Sequence, residues 1–168
     1  TGYLLAAYFN NSDFLSSIDF QNLLEWLKKG NSQASKISKS FKSNITTDIS
    51  GFGLASHLSD ICKSSKLSAE IKLNKEILIN KNIEILENFK STGFDNNYSS
   101  TVNEILISDS NKLKNILYDP QTNGPLLLSI HEKDQIEFEK KFQLKLGFRP
   151  ILIGKFKKSV GKLINVID

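Results

Sequence analysis

Hydrophobic positions in the first third of the chain recur at helical spacing. Leu4, Leu5, Tyr8 and Phe9 share one side of a helix predicted over residues 1–10. Phe20, Leu23, Leu24 and Leu27 mark a second helix, capped by Ser17 or Asp19 and closed by Lys28-Lys29-Gly30. A third begins at Asn31 or Ser32 and turns Ala34, Ile37 and Phe41 inward. The period then shortens. Residues 45–49 read as a short strand, and residues 50–64 as a helix with Leu54, Leu58 and Ile61 on one face. Leu67, Ala69, Ile71 and Leu73 alternate, which predicts a strand with one buried side. Further on, residues 83–89 are helical and residues 92–100 have the Gly, Asp and Asn content of a mobile polar loop. Residues 103–107 read as strand and 111–117 as a short helix. Residues 126–130 are an apolar strand, and 132–144 a charged helix with Ile136 and Phe142 inward. Strands over 148–156 and 162–167 end the chain. Helices and strands alternate, yet short strands also follow one another. That order predicts an α+β fold, an α/β sandwich in which a mixed sheet is covered by helices.

Composition fits this picture. A chain of 168 residues, 39% of them hydrophobic and eleven of them Phe, suits one domain with a real core. No repeat, linker or low-complexity segment divides it. No apolar run approaches the ~18 residues of a membrane span, and the apolar start is too short and lacks the basic residues of a signal peptide. The net charge of +4 comes almost entirely from Lys. Charge of this size speaks to solubility more than to function. Basic and aromatic residues are not interleaved as a single-strand binder requires, so no nucleic-acid partner is expected. Cys62 is the only cysteine, so no disulfide forms within the chain, and a reducing, cytoplasmic setting fits. Cys62 falls inside a predicted helix and reads as a small buried hydrophobe rather than a nucleophile. His57, beside the Leu54/Leu58 face, reads as a packing residue, and His131 as exposed. Trp26 reads as core or interface.

The chemistry concentrates at Thr46-Thr47-Asp48-Ile49-Ser50-Gly51-Phe52-Gly53-Leu54. A strand ends in the Asp48 carboxylate, and a helix opens behind Ser50 and two glycines. Gly51 and Gly53 let backbone approach a bound group closely. A helix N-terminus offers unpaired N–H groups and partial positive charge, which suit phosphate. Asp48 beside that mouth suits a hard cation such as Mg²⁺, which prefers carboxylate, water and phosphate oxygens. The competing reading makes Ser50 an N-cap and the glycines mere turn formers. A second motif, Asp119-Pro120-Gln121-Thr122-Asn123-Gly124-Pro125 followed by Leu126-Leu127-Leu128, is a punctuated loop leading into a strand.

Together the two motifs resemble one family, selenophosphate synthetase (selenide, water dikinase). Thr47 to Leu54 is similar to its T-D-[VI]-T-G-F-G-L signature, and Asp119 to Leu127 to its D-P-Q-T-S-G-G-L-L signature. Thr1-Gly2 matches the end of K-P-L-G-T-G, Asn31 with Ala34-Ser35 matches N-x-x-A-S, and Ile153-Gly154 matches a late I-G. Three departures stand out. Asn123-Gly124-Pro125 replaces Ser-Gly-Gly, and Pro125 removes a donor N–H. Ser50 replaces Thr but keeps the hydroxyl. Ser91 to Asn97 matches G-G-T-x-R-N poorly and lacks its Arg.

The resemblance covers the carboxy-terminal domain of that enzyme, and implies the carboxy-terminal fold of the aminoimidazole-ribonucleotide-synthetase-like superfamily. The amino-terminal domain, with its catalytic Cys or selenocysteine, Lys and further Asp metal ligands, is not in this sequence. The implied activity is ATP-dependent synthesis of selenophosphate from selenide, with release of AMP and phosphate. By position the resemblance makes Asp48 a Mg²⁺ ligand on the ATP phosphates. Thr47, Ser50, Gly51 and Gly53 are expected to shape that wall of the nucleotide site, with Thr122 and Asn123 ranked behind them. Expected partners are ATP and selenide, the amino-terminal domain of the same parent chain, and a second copy in a homodimer. One carboxylate does not hold a Mg–ATP cluster, so this piece is expected to be silent alone. Two other readings stay open: another superfamily member, such as a hydrogenase-maturation or thiamine-phosphate kinase relative, and a non-catalytic dimerisation or interaction domain.

Overall fold

A computed structural model of the chain describes residues 1–10, 13–43, 45–159 and 161–167. Three helices come first: α1 (Gly2–Phe9), α2 (Ser17–Lys28) and α3 (Ser32–Ser40). The capping residue of α2 is Ser16, one residue before the expected Ser17. Its hydroxyl oxygen accepts from the Asp19 N–H while the Asp19 carboxylate accepts from the Ser16 N–H. This reciprocal pair satisfies two N–H groups that the helix itself cannot. In α1 the inward side is Tyr3, Leu4 and Ala7, whereas Phe9 is 76% exposed. The expected stripe was therefore rotated: α1 packs on α5 (Ile83–Asn88) through the side bearing Tyr3.

Strand β1 (Ile45–Asp48) pairs antiparallel with β4 (Leu126–Ser129) in a two-stranded ribbon, with Asp48 opposite Leu126. Helix α4 (Gly53–Ser65) follows, ending at Lys66 in the left-handed conformation, and β2 (Leu67–Lys72) returns along it. A second sheet has the order β3 (Ile105–Leu106), β6 (Ile164–Ile167), β2, β5 (Gly154–Lys158). In it β3, β6 and β2 run parallel, and β5 runs antiparallel to β2. The expected mixed sheet covered by helices is present, as a four-stranded sheet with a separate ribbon beside it. Ala69, Ile71 and Ile164 face the core, with Ala55, Leu58 and Cys62 of α4 and Tyr3, Leu4 and Leu23 of the first helices. Cys62 is fully buried, and burial pushes its thiol pKa up, which makes it a packing group and a poor nucleophile. A smaller cluster joins Ala34 and Ile37 of α3 to Phe138 and Phe142 of α7 (Gln135–Leu146).

Several sequence expectations are corrected here. Residues 94–101 are not a loop but a helix, α6 (Phe94–Thr101). Phe94, Asn97 and Thr101 are buried at helical spacing, and Gly93, with φ +95°, makes the turn into it. The polar Asn97 is buried because its amide donates to the carbonyls of Gly51 and Tyr118, at 2.8 and 3.0 Å. Residues 148–153 are not strand; only Gly154–Lys158 pairs with β2. Residues 111–117 hold a single 3₁₀ turn at Lys114–Leu117, and the strand expected over 103–107 is confined to Ile105–Leu106. In α7 Ile136 is 70% exposed and Phe138 takes the inward position. Phe138 and Phe142, four residues apart, make the buried stripe, with Phe142 inward as expected, and Ile136, two residues before Phe138, falls on the opposite side.

Candidate functional site

The sequence left open where the second motif points. The structure lays it against the first. The Ile49 N–H donates to the Pro125 carbonyl at 2.9 Å, and the Gln121 N–H donates to the Ser50 carbonyl at 3.1 Å. Gly124 permits this approach, because a Cβ there would collide with the Ile49 carbonyl oxygen. Asn31 of the N-x-x-A-S segment joins them, its amide donating to the Gly124 carbonyl at 2.9 Å. Thr1 and Gly2 also meet this loop. The Thr1 hydroxyl accepts from the Thr122 N–H at 2.9 Å, and the Gly2 N–H donates to the Asp119 carboxylate at 3.0 Å. Four of the five segments that carry the resemblance thus converge on one corner of the fold; the fifth, Ile153-Gly154, lies instead beside β2 in the four-stranded sheet.

Asp48 ends β1 with its carboxylate exposed and without a hydrogen-bond or ion-pair partner among the described residues. Thr47, half-buried, donates its hydroxyl to the Asp48 carbonyl at 3.3 Å. The chain then turns, and α4 opens at Gly53 rather than at Ser50. The residue in the N-cap position is Phe52, 68% exposed, and no side chain caps the helix. Ser50 is therefore not the N-cap. Its N–H and its hydroxyl both meet Nε2 of His57, at 3.2 and 3.1 Å. Its carbonyl accepts from Gly53 as well as Gln121. The space above Gly51 is open, with no atom within 4 Å of where a Cβ would lie. Gly53 has φ +75°, and a Cβ there would press on the backbone of Leu117 and Tyr118 at 2.9–3.1 Å. Gly53 is needed for that packing, while Gly51 faces free space.

The second motif is built differently. Asp119 is 1% exposed. Its carboxylate accepts from the Thr1 main-chain nitrogen, the Gly2 N–H and the Gln121 amide at 3.0–3.2 Å, and from the Ser91 hydroxyl at 3.4 Å. Burial pushes its pKa up, against the pull of these donors. Asn123, in the left-handed region at φ +47°, donates its amide to the carbonyls of Leu27 and Lys29 at 2.7 and 2.8 Å. It thereby satisfies the C-terminal end of α2. Thr122 leaves its side chain exposed beside it. Ser91, Thr92, Gly93, Asp95 and Asn96, the segment that departs most from the family pattern, line with Lys90 an open cleft of about 380 Å³.

Among the described residues, no three His, Cys, Asp or Glu side chains are grouped to hold a metal. The donor set here fits one corner of a Mg²⁺ site: a free carboxylate beside an uncapped helix mouth, with remaining ligands from phosphate, water or another part of the protein. Sequence reasoning missed His57, Asn97 and Gln121 as the ties that hold the turn. The seven-residue spacing of Ser50 and His57, two helical turns, was a signal for the first. Nothing local marks the other two.

Residues 21–159 match the model of the AIR synthase related protein, C-terminal domain, and the chain belongs to that family. Curated relatives are selenide, water dikinases. The protein of Clostridioides difficile is 32% identical over 140 residues, which is 82% of this chain and 40% of the relative. That of Caldanaerobacter subterraneus subsp. tengcongensis is 29% identical over 137 residues, 80% of this chain and 40% of the relative. The protein of Treponema denticola is 27% identical over 172 residues, 99% of this chain and 48% of the relative. The chain thus spans less than half the length of these relatives. No helix among the described residues is long and apolar enough to cross a membrane.

Proposed function

We propose that this chain is the carboxy-terminal domain of a selenide, water dikinase, whose whole protein makes selenophosphate from selenide and ATP and releases AMP and phosphate. The observation that carries this reading is the free Asp48 carboxylate, held at the mouth of α4 by the paired second motif. An exposed carboxylate on a paired strand end keeps its charge available to a cation. Asp48 would help hold Mg²⁺, and the metal, when bound, would offset charge that develops during phosphoryl transfer. This chain's own share is to orient that carboxylate, through the β1–β4 pairing on one side and the Ile49 and Ser50 ties on the other. The open space at Gly51 leaves room for a phosphate oxygen near the main-chain N–H groups of the turn. Ser50, Gly53 and Asn123 serve this site by holding backbone, since their polar groups or their φ are already committed. The amino-terminal domain supplies the nucleophile and the other carboxylates, a second copy completes a homodimer, and the protein works in the cytoplasm.

The test is activity with ATP and selenide, read as AMP. The full-length protein should form AMP in a selenide-dependent way, and this chain alone should form none. AMP formation by the isolated chain would overturn the division of labour between the two domains. A full-length protein that binds no ATP would favour the interaction-domain reading.

A further inference from the structure

We propose that His57 is a positioning residue for the metal-binding turn: its Nε2 holds Ser50 and so sets where the Asp48 carboxylate points. The inference rests on the reading of Asp48 as a Mg²⁺ ligand and adds to it a residue outside the turn. The geometry begins with the two bonds to one nitrogen. A backbone N–H can only donate, so the Ser50 N–H, 3.2 Å away, makes Nε2 an acceptor. Nε2 then carries no proton, and the Ser50 hydroxyl at 3.1 Å must donate to it as well. The ring is neutral, with its proton on Nδ1.

His57 itself cannot drift. It lies in the second turn of α4, whose Ala55, Leu58, Ser59 and Cys62 are buried in the main core. The helix is thus a fixed post, and His57 is the arm that reaches back from it to the turn. Asp48 is held from below by its pairing with Leu126, and Ile49 by Pro125. Beyond Ile49, the His57 bonds tie the N–H and side chain of Ser50, while the Gln121 N–H ties only its carbonyl. Without His57 the Ser50 N–H and hydroxyl lose their partner, and the backbone that follows Asp48 is held only through the Ile49 N–H and the Ser50 carbonyl, which loosens the direction of the carboxylate. His57 acts on the ligand through Ser50, and groups that orient a metal ligand from outside its first contacts change metal affinity when removed.

The experiment uses the full-length protein, Mg²⁺ and a non-hydrolysable ATP analogue, with binding read by calorimetry and folding by melting temperature. His57→Leu keeps the volume and removes the acceptor. It should weaken Mg²⁺-dependent analogue binding by about 10–100-fold. His57→Gln restores an acceptor oxygen near the position of Nε2 and should recover most of that loss. Asp48→Asn is run beside them. If Asp48→Asn binds as tightly as wild type, the metal reading and this inference fall together. If Asp48→Asn loses binding and His57→Leu does not, the positioning role alone is overturned. A His57→Leu protein that only melts lower, with unchanged Mg²⁺ dependence, also overturns it. Should His57→Leu fail to fold, the imidazole ¹⁵N spectrum of the wild-type protein decides. An unprotonated Nε2 is expected, and a proton on Nε2 would exclude the bond from Ser50.

Discussion

Asp48 and Asp119 begin motifs that look alike in the sequence: each is a carboxylate followed within five residues by a hydroxyl and a glycine. In the fold they have opposite fates. Asp119 is sealed at 1% exposure, with four donors turned on it. The Asp48 carboxylate is exposed and has no hydrogen-bond or ion-pair partner among the described residues. The surroundings follow the same division. Around Asp119 the polar groups are committed to the fold: Asn123 to the end of α2, Gln121 to Ser50 and Asp119, and Gly124 to a close pass over Ile49. Around Asp48 the helix mouth is uncapped and the space over Gly51 is open. The second motif is a scaffold, and the first is what it presents. A buried carboxylate with a full set of donors holds segments together. An unpaired one on a rigid element is free for a ligand.

The sharpest way to break this comparison is Asp48→Asn in the full-length protein. The change keeps size and turn-forming ability and removes the charge. Turnover of ATP with selenide should fall by at least about a hundred-fold, the scale of losing one transition-state charge contact. Mg²⁺-dependent nucleotide binding should weaken with it. Melting temperature should barely move, because Asp48 has no side-chain partner to lose. Near wild-type selenophosphate formation would remove the main functional claim. Normal turnover with a lower melting temperature would make Asp48 structural, like its counterpart.

Asp119 should show the reverse. Asp119→Ala strands four donors in a buried site and should cost on the order of 3 kcal/mol of stability. The pH dependence gives a second readout. Burial, the largest cause, raises the Asp119 pKa in the folded protein above its ordinary value of about 3.9. The folded state therefore binds that proton more tightly than the unfolded state. The stability this adds is fully present below the ordinary pKa and is lost as pH rises through the folded pKa. Urea unfolding of wild type and Asp119→Asn across that window should show wild type losing stability relative to the variant as pH increases. A difference that grows in the other direction would mean that the donors outweigh burial.

The contrast between the two carboxylates was only half legible in the sequence. The positions of both motifs followed from their Gly, Pro and Asx punctuation, and the strands that carry them from apolar runs. Helices α2, α3 and α4 followed from apolar spacing, because each buries one stripe against the core. What failed depended on distant partners. Residues 94–101 are polar and read as a loop, yet Asn97 is drawn inward by carbonyls at Gly51 and Tyr118, one of them 46 residues away in the chain. Residues 148–153 have strand-like composition, but the ladder with β2 begins only at Gly154, with one further bond from the Lys72 N–H to the Ile153 carbonyl. Ser50 is a good N-cap residue by type and is not one, because His57 competes for its N–H and hydroxyl. Local propensity cannot register a competitor that only the folded helix brings into reach.

The smallest expected effect lies at the joint between the motifs. Pro125 stands where the family pattern has Gly. Its carbonyl accepts from Ile49, and it has no N–H to offer a ligand. If the loop is scaffold, that missing donor is irrelevant to turnover. Pro125→Gly should then leave selenophosphate formation within about two-fold, an energy near 0.4 kcal/mol on the barrier. Stability should fall by roughly 0.4–1 kcal/mol, because Gly leaves the unfolded chain more freedom to lose. Urea unfolding and an AMP assay on the same variant check both. A rise in stability would show that Pro125 is strained in its turn. A rise in turnover would show that the loop contributes an N–H to the ligand after all, and the scaffold would have to be counted as part of the site.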